Sequence, residues 1–145
     1  MDKLFKISLV VAVISLIFKF GVDAYVNRGS GYPEGPTVNG EELFVDYNTN
    51  TFYMSENMEI DSLFTGTSIR YHINGEMLAK AGISKGKLHG PFDSWYENGQ
   101  KQMSLIWYNG VKFRNFRAYL SNGDEIEGDG NELGRKVFSG EIVLQ

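Results

Sequence analysis

The dipeptide Asn-Gly recurs every 24 residues in the second half of the chain, at Asn74-Gly75, Asn98-Gly99 and Asn122-Gly123. A fixed period of this length is typical of a protein that stacks one supersecondary unit on the next. Asn-Gly between alternating segments is a strong signal for a β-hairpin, because a type I′ turn needs a positive φ at both central positions. The spacing therefore predicts a series of hairpins with type I′ turns.

A second turn divides each repeat into two strands. Lys85-Gly86 and Asn109-Gly110 follow the first two Asn-Gly turns by eleven residues. Two turns per repeat predict an up-and-down antiparallel meander of short strands, so the fold class expected for the chain is all-β. The residues predicted to have a structural role in the turns are Asn74, Gly75, Gly86, Gly90, Asn98, Gly99, Asn109, Gly110, Asn122 and Gly123.

Pairing across Asn98-Gly99 predicts a sheet that is apolar on both faces. It sets Tyr96 opposite Lys101, Ser94 opposite Met103 and Phe92 opposite Leu105. One face then collects Phe92, Tyr96, Met103, Leu105, Trp107 and Phe116, and the other collects Trp95, Ile106, Tyr108, Val111, Phe113 and Tyr119. Such a sheet must bury at least one face against another element or another molecule.

The aromatic side chains of this sheet have two interpretations. Cross-strand aromatic pairs are ordinary sheet stabilisers, so each ring can simply hold successive hairpins together. Alternatively, those on an exposed face form a binding surface. The candidate binding residues are Tyr71, Trp95, Tyr96, Trp107, Tyr108 and Tyr119.

The N-terminal segment predicts export across the cytoplasmic membrane. Lys3 and Lys6 precede an apolar run from Ile7 to Phe18, which is the layout of a secretory signal in residues 1–24. The alternatives are an uncleaved hydrophobic anchor helix in residues 4–22 and a buried core helix, because a run this short is ambiguous between these structures. With a signal or an anchor, the rest of the chain is expected to be periplasmic, secreted or membrane-anchored.

The segments between the leader and the chain end have distinct compositions. Residues 25–41, rich in Pro and Gly, predict a flexible linker. Residues 42–62 predict flanking strands, with a degenerate copy of the repeat as one interpretation. Residues 63–128 hold the repeats. Residues 129–145 predict a C-terminal capping strand, supplied by Val137-Phe138 and Glu141-Ile142-Val143-Leu144.

No residue pattern indicates catalysis, a metal site or a cofactor. The chain has no cysteine and a formal net charge of −4, which excludes thiolate chemistry and argues against nucleic acid as a partner. His72 and His89 are not at metal-ligand spacing. The acidic stretch from Asp124 to Glu132 lacks the spacing of an EF-hand. We therefore expect a protein that is not an enzyme.

Residues Lys85–Gln102 resemble the bacterial MORN-variant repeat, in which a glycine precedes a strand with adjacent aromatics, an Asn-Gly turn and a second strand. The resemblance covers residues 63–128 and is weakest in the third copy, where Arg114 occupies the position of the glycine. It implies a β-meander of stacked hairpins without enzymatic activity. It also implies contacts with another protein or with a membrane surface. Many members of this family are described as antitoxin components of toxin–antitoxin systems, so an antitoxin-like protein that neutralises a cognate toxin is the alternative function.

Overall fold

A computed structural model describes residues 31–145, and the predicted signal or anchor in residues 1–24 lies outside them. This part of the chain is mostly β, as predicted, and its strands are joined mainly as antiparallel hairpins. The elements are β1 (Thr37–Asn39), β2 (Phe44–Asp46), β3 (Thr51–Tyr53), β4 (Gly66–Tyr71), β5 (Met77–Ser84), β6 (Lys87–Trp95), β7 (Lys101–Tyr108), β8 (Lys112–Ala118) and the helix α1 (Gly130–Phe138).

Six of the strands form one sheet in the order β1-β4-β5-β6-β7-β8. Strands β4 to β8 are the predicted antiparallel meander, whereas β1 pairs in parallel with β4. The linker predicted for residues 25–41 is therefore wrong at residues 37–39. Pro36 does not prevent the pairing, because its carbonyl accepts a hydrogen bond from the Thr67 amide at 2.9 Å. Strands β2 and β3 lie in the region of the predicted flanking strands and form a separate two-stranded sheet.

The three Asn-Gly turns of the repeat are not type I′. Gly99 has a φ of 81°, but Asn98 is not among the described residues with a positive φ. The Gly99 amide donates to the Tyr96 carbonyl, and the Tyr96 amide donates to the Gln100 carbonyl. This pattern is a type I turn followed by a left-handed glycine bulge. The type I′ signature of two positive φ angles occurs instead at Lys85-Gly86 and Asn109-Gly110.

The bulge at this turn explains which predicted strand pairs are right. Phe92 lies opposite Leu105 and Ser94 opposite Met103, as predicted. The prediction that Tyr96 lies opposite Lys101 is wrong, because the register shifts after Ser94 and Trp95 takes that position. An extra residue in one strand of a hairpin changes the pairing beyond it.

The turn after β7 has a similar effect on Phe113. Tyr108 pairs with Lys112, so the loop has one residue more than a two-residue turn. Phe113 consequently lies opposite Trp107, and the prediction that it belongs to the other face is wrong. A one-residue change of register moves a side chain to the opposite face of a sheet. Phe113 thereby joins the core side.

The core lies on one face of the sheet, which we call the covered face. Buried side chains there include Ile83, Leu88, Phe92, Leu105 and Trp107. Helix α1 packs on the β7–β8 half of this face, where Phe138 contacts the rings of Trp107, Phe113 and Phe116 at centroid distances of 5.9, 5.1 and 5.4 Å. The β2–β3 hairpin lies over the other half.

Helix α1 replaces the predicted C-terminal capping strand at Val137-Phe138. Asp129 caps the helix by accepting hydrogen bonds from the amides of Asn131 and Glu132. Glu132 also pairs with Lys136 at 2.9 Å across one turn. Burial of Leu133 and Phe138 gives the helix an apolar side that packs on the sheet. The capping role is therefore taken by a helix.

Candidate functional site

The face of the sheet opposite the core carries a row of polar side chains across four strands. Strand pairing places Lys80 opposite Asp93, Asp93 opposite Ser104 and Ser104 opposite Arg117. Directly opposed residues share a face. We call this surface, defined by Lys80, Asp93, Ser104 and Arg117, the open face.

At the end of the strands where the Asn-Gly turns lie, hydrogen bonds repeat from one unit to the next and fix the shape of the open face. The Asn74 side chain donates to the carbonyl of Glu97, and the Asn98 side chain donates to that of Ser121, each at 2.8 Å and each across 23 residues. A second series joins His72 Nε2 to the Trp95 carbonyl and the Tyr96 hydroxyl to the Tyr119 carbonyl. The repeat is therefore visible in equivalent hydrogen bonds as well as in equivalent residues.

The turns at the other end of the strands are also joined by equivalent hydrogen bonds. The Gly86 amide donates to the Phe64 carbonyl at 2.8 Å, and the Gly110 amide donates to the Leu88 carbonyl at 2.7 Å. Both donors are turn glycines in the left-handed region, with φ of 75° and 68°. Hydrogen bonds therefore fix the meander at both ends of its strands, so the open face is held on rigid elements.

Residues 31–33, which we call the strap, cross the open face above β5 and β6. A Cβ on Gly82 would lie 2.7 Å from Pro33 Cδ, and a Cβ on Gly90 would lie 2.7 Å from the carbonyl oxygen of Gly31. Only residues without a side chain permit this approach. The prediction that Gly90 lies in a turn is wrong, because it lies within β6 opposite Trp107. There it combines a positive φ of 84° with the close contact to the strap.

Charges on the open face are paired around Asp93. Its carboxylate accepts from Lys101 Nζ at 2.7 Å and from the Tyr32 hydroxyl at 3.2 Å. Burial, reinforced by the neighbouring Asp93 charge, raises the pKa of Tyr32 above its usual range. Lys80 Nζ lies 4.3 Å from the centroid of the Tyr32 ring, and Lys101 Nζ lies 5.3 Å from that of Trp95. Aromatic rings and cations therefore alternate along this part of the face.

Beyond the strap, a groove is lined by β6, β7 and β8 together with the segment that leads into helix α1 and the first turns of that helix. The groove has a volume of about 1030 Å³, and Pro91 and Ile106 lie among the residues that line it. Tyr119 and the ion pair between Arg117 and Glu125, 3.6 Å apart, lie along its side. The groove is open to solvent and combines apolar surface with charges of both signs.

The six predicted binding residues do not form one site. Trp95 lies beside Lys101 on the open face, and Tyr119 lines the groove. Trp107 is 3 % exposed and belongs to the core, so its predicted binding role is wrong. Tyr71 and Tyr108 lie exposed near strand ends.

Tyr96 has a structural role, because its hydroxyl donates to the Tyr119 carbonyl at 2.7 Å. Burial raises the pKa of this phenol.

Sequence reasoning did not single out Asp93 and Arg117, although the 24-residue period places them at equivalent positions. Each precedes a candidate aromatic by two residues, Trp95 or Tyr119. A polar residue two positions before the repeat aromatic was therefore the signal, since alternate residues of a strand share a face.

Residues 31–145 contain no group of three His, Cys, Asp or Glu side chains placed to hold a metal ion. Within the same residues, no helix has the length and apolar character needed to cross a membrane. His72 and His89 each lie in a hydrogen bond, to the Trp95 carbonyl and to Asn109.

Comparison with known proteins found no match to a family model, to a curated protein or to a solved structure. The resemblance to the MORN-variant repeat therefore rests on the residues of positions 63–128.

Proposed function

We propose that this chain is a non-enzymatic, MORN-like repeat protein of the cell envelope that binds another protein through its open face. The observation that carries the proposal is the solvent-open groove over β6–β8, which Tyr119 lines together with ionic side chains. Trp95 lies next to this groove, against the lining residue Lys101. Trp, Tyr and Arg are the residue types that contribute most to protein–protein binding energy.

The mixture of charges on this face favours a protein over a polyanion. Lys101 and Arg117 each pair with a carboxylate, from Asp93 and Glu125. A surface that binds phosphate chains presents cations in excess, because affinity there comes from replacing counterions. Paired charges beside aromatic rings instead suit a partner with charges of both signs, since such charges select and orient a protein partner.

The location in the cell envelope rests on the sequence of residues 1–24, which has the order of a signal or an anchor. The antitoxin-like alternative rests on the family resemblance. The two differ in compartment, because an antitoxin meets its toxin in the cytoplasm, whereas an exported protein meets its partner beyond the membrane.

Site-specific photo-crosslinking in cells that express the full chain tests the proposal. A photoreactive phenylalanine replaces Ser104 on the open face, and a control carries it at Asn48 in the β2–β3 turn. We expect one discrete crosslinked protein from position 104 and none of that size from position 48. Adding Trp95→Ala should remove the crosslinked product.

An open-face probe that yields no product, or the same product as the control, would overturn the proposal. Mass spectrometry of the product and cell fractionation then separate the two compartments. An envelope protein as partner supports the leading proposal, and a cytoplasmic toxin supports the alternative.

A further inference from the structure

The covered face contains a cavity of about 410 Å³ between the sheet and the β2–β3 hairpin. It lies on the side of the sheet away from the open face, so it is independent of the proposed protein-binding groove. Its size is in the range of small-molecule sites, which are about 300–1,000 Å³ and mainly apolar.

Small side chains on β4 and β5 create the space for this cavity. Ser68 lies opposite Ala81, and Arg70 lies opposite Ala79, and all four line the cavity. On the other half of the covered face, bulky side chains such as Met103, Leu105 and Phe116 are buried together with Leu133 and Phe138 of the helix. The space between the sheet and α1 is thus filled by side chains, whereas the space between the sheet and the β2–β3 hairpin contains the cavity.

Arg70 supplies a cation at the cavity with an unused donor. Its side chain is 21 % exposed, and its Nε is the buried side-chain polar atom of residues 31–145 that has no hydrogen-bond partner. A buried donor without an acceptor is costly. An acceptor from a ligand would remove this cost.

Gly40 fixes the position of the Arg70 side chain, and Glu41 partly offsets the charge of its guanidinium. A Cβ on Gly40 would lie 2.7 Å from Arg70 Cγ, so the backbone there packs directly on the stem of the side chain. Glu41 Oε1 lies 4.0 Å from the guanidinium Nη2. Because a carboxylate lies near this one cation, the site suits a ligand head group with a single negative charge. A second negative charge would be repelled by Glu41.

The mouth of the cavity is apolar as well. Phe44, Tyr47 and Met58 line it while remaining 39 %, 43 % and 39 % exposed. These residues belong to β2, its turn and the loop after β3. The unbranched side chain of Met58 can adapt to ligands of different shapes.

We propose that this cavity binds a fatty-acid-like monocarboxylate. The alkyl chain lies over Ala79, Ala81 and Phe92, and the carboxylate accepts a hydrogen bond from Arg70 Nε. The apolar lining and the one cation among the lining residues, whose Nε is buried, together select this class. An alcohol lacks the charge, and an alkylammonium ion would be repelled by Arg70.

Isothermal titration of the purified full chain with dodecanoate tests the inference, with dodecanol and dodecyltrimethylammonium as comparison probes below their aggregation concentrations. We expect saturable binding of dodecanoate and at least about tenfold weaker binding of the other two, as for loss of one charge-assisted hydrogen bond. Arg70→Gln should weaken dodecanoate binding by about the same factor. The matched control Arg114→Gln, on a strand at the other side of the sheet, should leave it unchanged.

Ala81→Leu should abolish binding of every probe by filling the cavity. Because that variant risks misfolding, ¹³C-methyl spectra of the wild-type chain give a second measurement. Dodecanoate should shift the signals of Ala79, Ala81 and Met58 and leave that of Ala118, beneath α1, in place.

Equal affinity for dodecanoate and dodecanol would overturn the carboxylate assignment. The absence of binding, or methyl shifts spread over the whole chain, would overturn the site. Either failure leaves the crosslinking result at position 104 unaffected, so the two proposals stand or fall separately.

Discussion

The side-chain amide of Asn98 donates a hydrogen bond to the backbone carbonyl of Ser121, in the next Asn-Gly turn of the stack. The carbonyl oxygen of the same side chain accepts from the Gln100 amide at 3.0 Å and so closes its own turn. One asparagine therefore stabilises a turn and connects it to the following one. Asn74 has the same two roles, with Glu76 and Glu97.

Asn98→Asp should separate these two roles, because aspartate keeps the acceptor and loses the donor. We expect the free energy of unfolding to fall by about 1 kcal/mol, the net value of one hydrogen bond. Asn98→Ala should cost more, since it also removes the bond to Gln100. Urea unfolding of the two variants measures both contributions. An unchanged stability of Asn98→Asp would show that the bond between turns contributes nothing, and equal losses in the two variants would show the same for the bond to Gln100.

Gly86→Ala should destabilise the protein far more than Gly75→Ala. Both glycines have a left-handed φ, 75° and 86°, so each substitution costs about 1 kcal/mol of backbone strain. A Cβ on Gly86 would also lie 2.6 Å from Leu63 Cδ2 and 2.7 Å from Thr51 Cγ2, whereas nothing lies within 4 Å at Gly75.

The clash should raise the total loss for Gly86→Ala to about 3 kcal/mol. Thermal unfolding of the matched pair checks this, and similar melting temperatures would contradict the close packing of β3 against the turn.

Phe138→Ala should detach helix α1 from the sheet. The ring is 5 % exposed and stacks near Trp107 at 5.9 Å, so we expect a loss of about 3–5 kcal/mol in the free energy of unfolding. The fluorescence of Trp107 should shift to longer wavelength as solvent reaches it. Val143→Ala is the control, because that side chain is 67 % exposed; a comparable effect there would contradict the assignment.

Stability should fall at alkaline pH through Tyr32. Its pKa is raised by burial and by Asp93, so the folded state holds the phenol proton more tightly than the unfolded state does. The stabilisation is complete below the unfolded pKa of about 10 and decreases as the pH rises above it. Tyr32→Phe removes this dependence.

Urea unfolding between about pH 8 and pH 11 should therefore show a steeper decline for the wild type than for Tyr32→Phe. Other tyrosines titrate in both proteins and cancel in the comparison. Parallel curves would show that the strap does not hold Tyr32 against Asp93.

The meander was predictable because its signals are local. Glycine at position 99 marks a turn whatever surrounds it, and strand alternation then pairs Phe92 with Leu105. The turn type was not predictable from the Asn-Gly pair, because both a type I′ turn and a type I turn with a bulge accept it. That single ambiguity decides the partner of Lys101.

Strand β1 and helix α1 differ in how far the local sequence reports them. Strand β1 contacts residues about thirty positions away, at Thr67–Ile69, and no local pattern reports such a pairing. Helix α1 did carry a signal, since Asp129 is followed three residues later by Glu132 in the order of a capping box. The cavity at Arg70 was not predictable, because it depends on where the hairpin lies over the sheet.

The bonds between turns also bear on how such a protein can change in length. Each of them joins a residue to one 23 positions further along, so residues 87–110 contain both the acceptor for the preceding unit and the donor for the following one. A tandem duplication of that segment would insert a hairpin whose ends already match its neighbours. A single duplication in the gene would therefore encode a protein with a wider sheet, in which the existing hydrogen bonds between turns are kept.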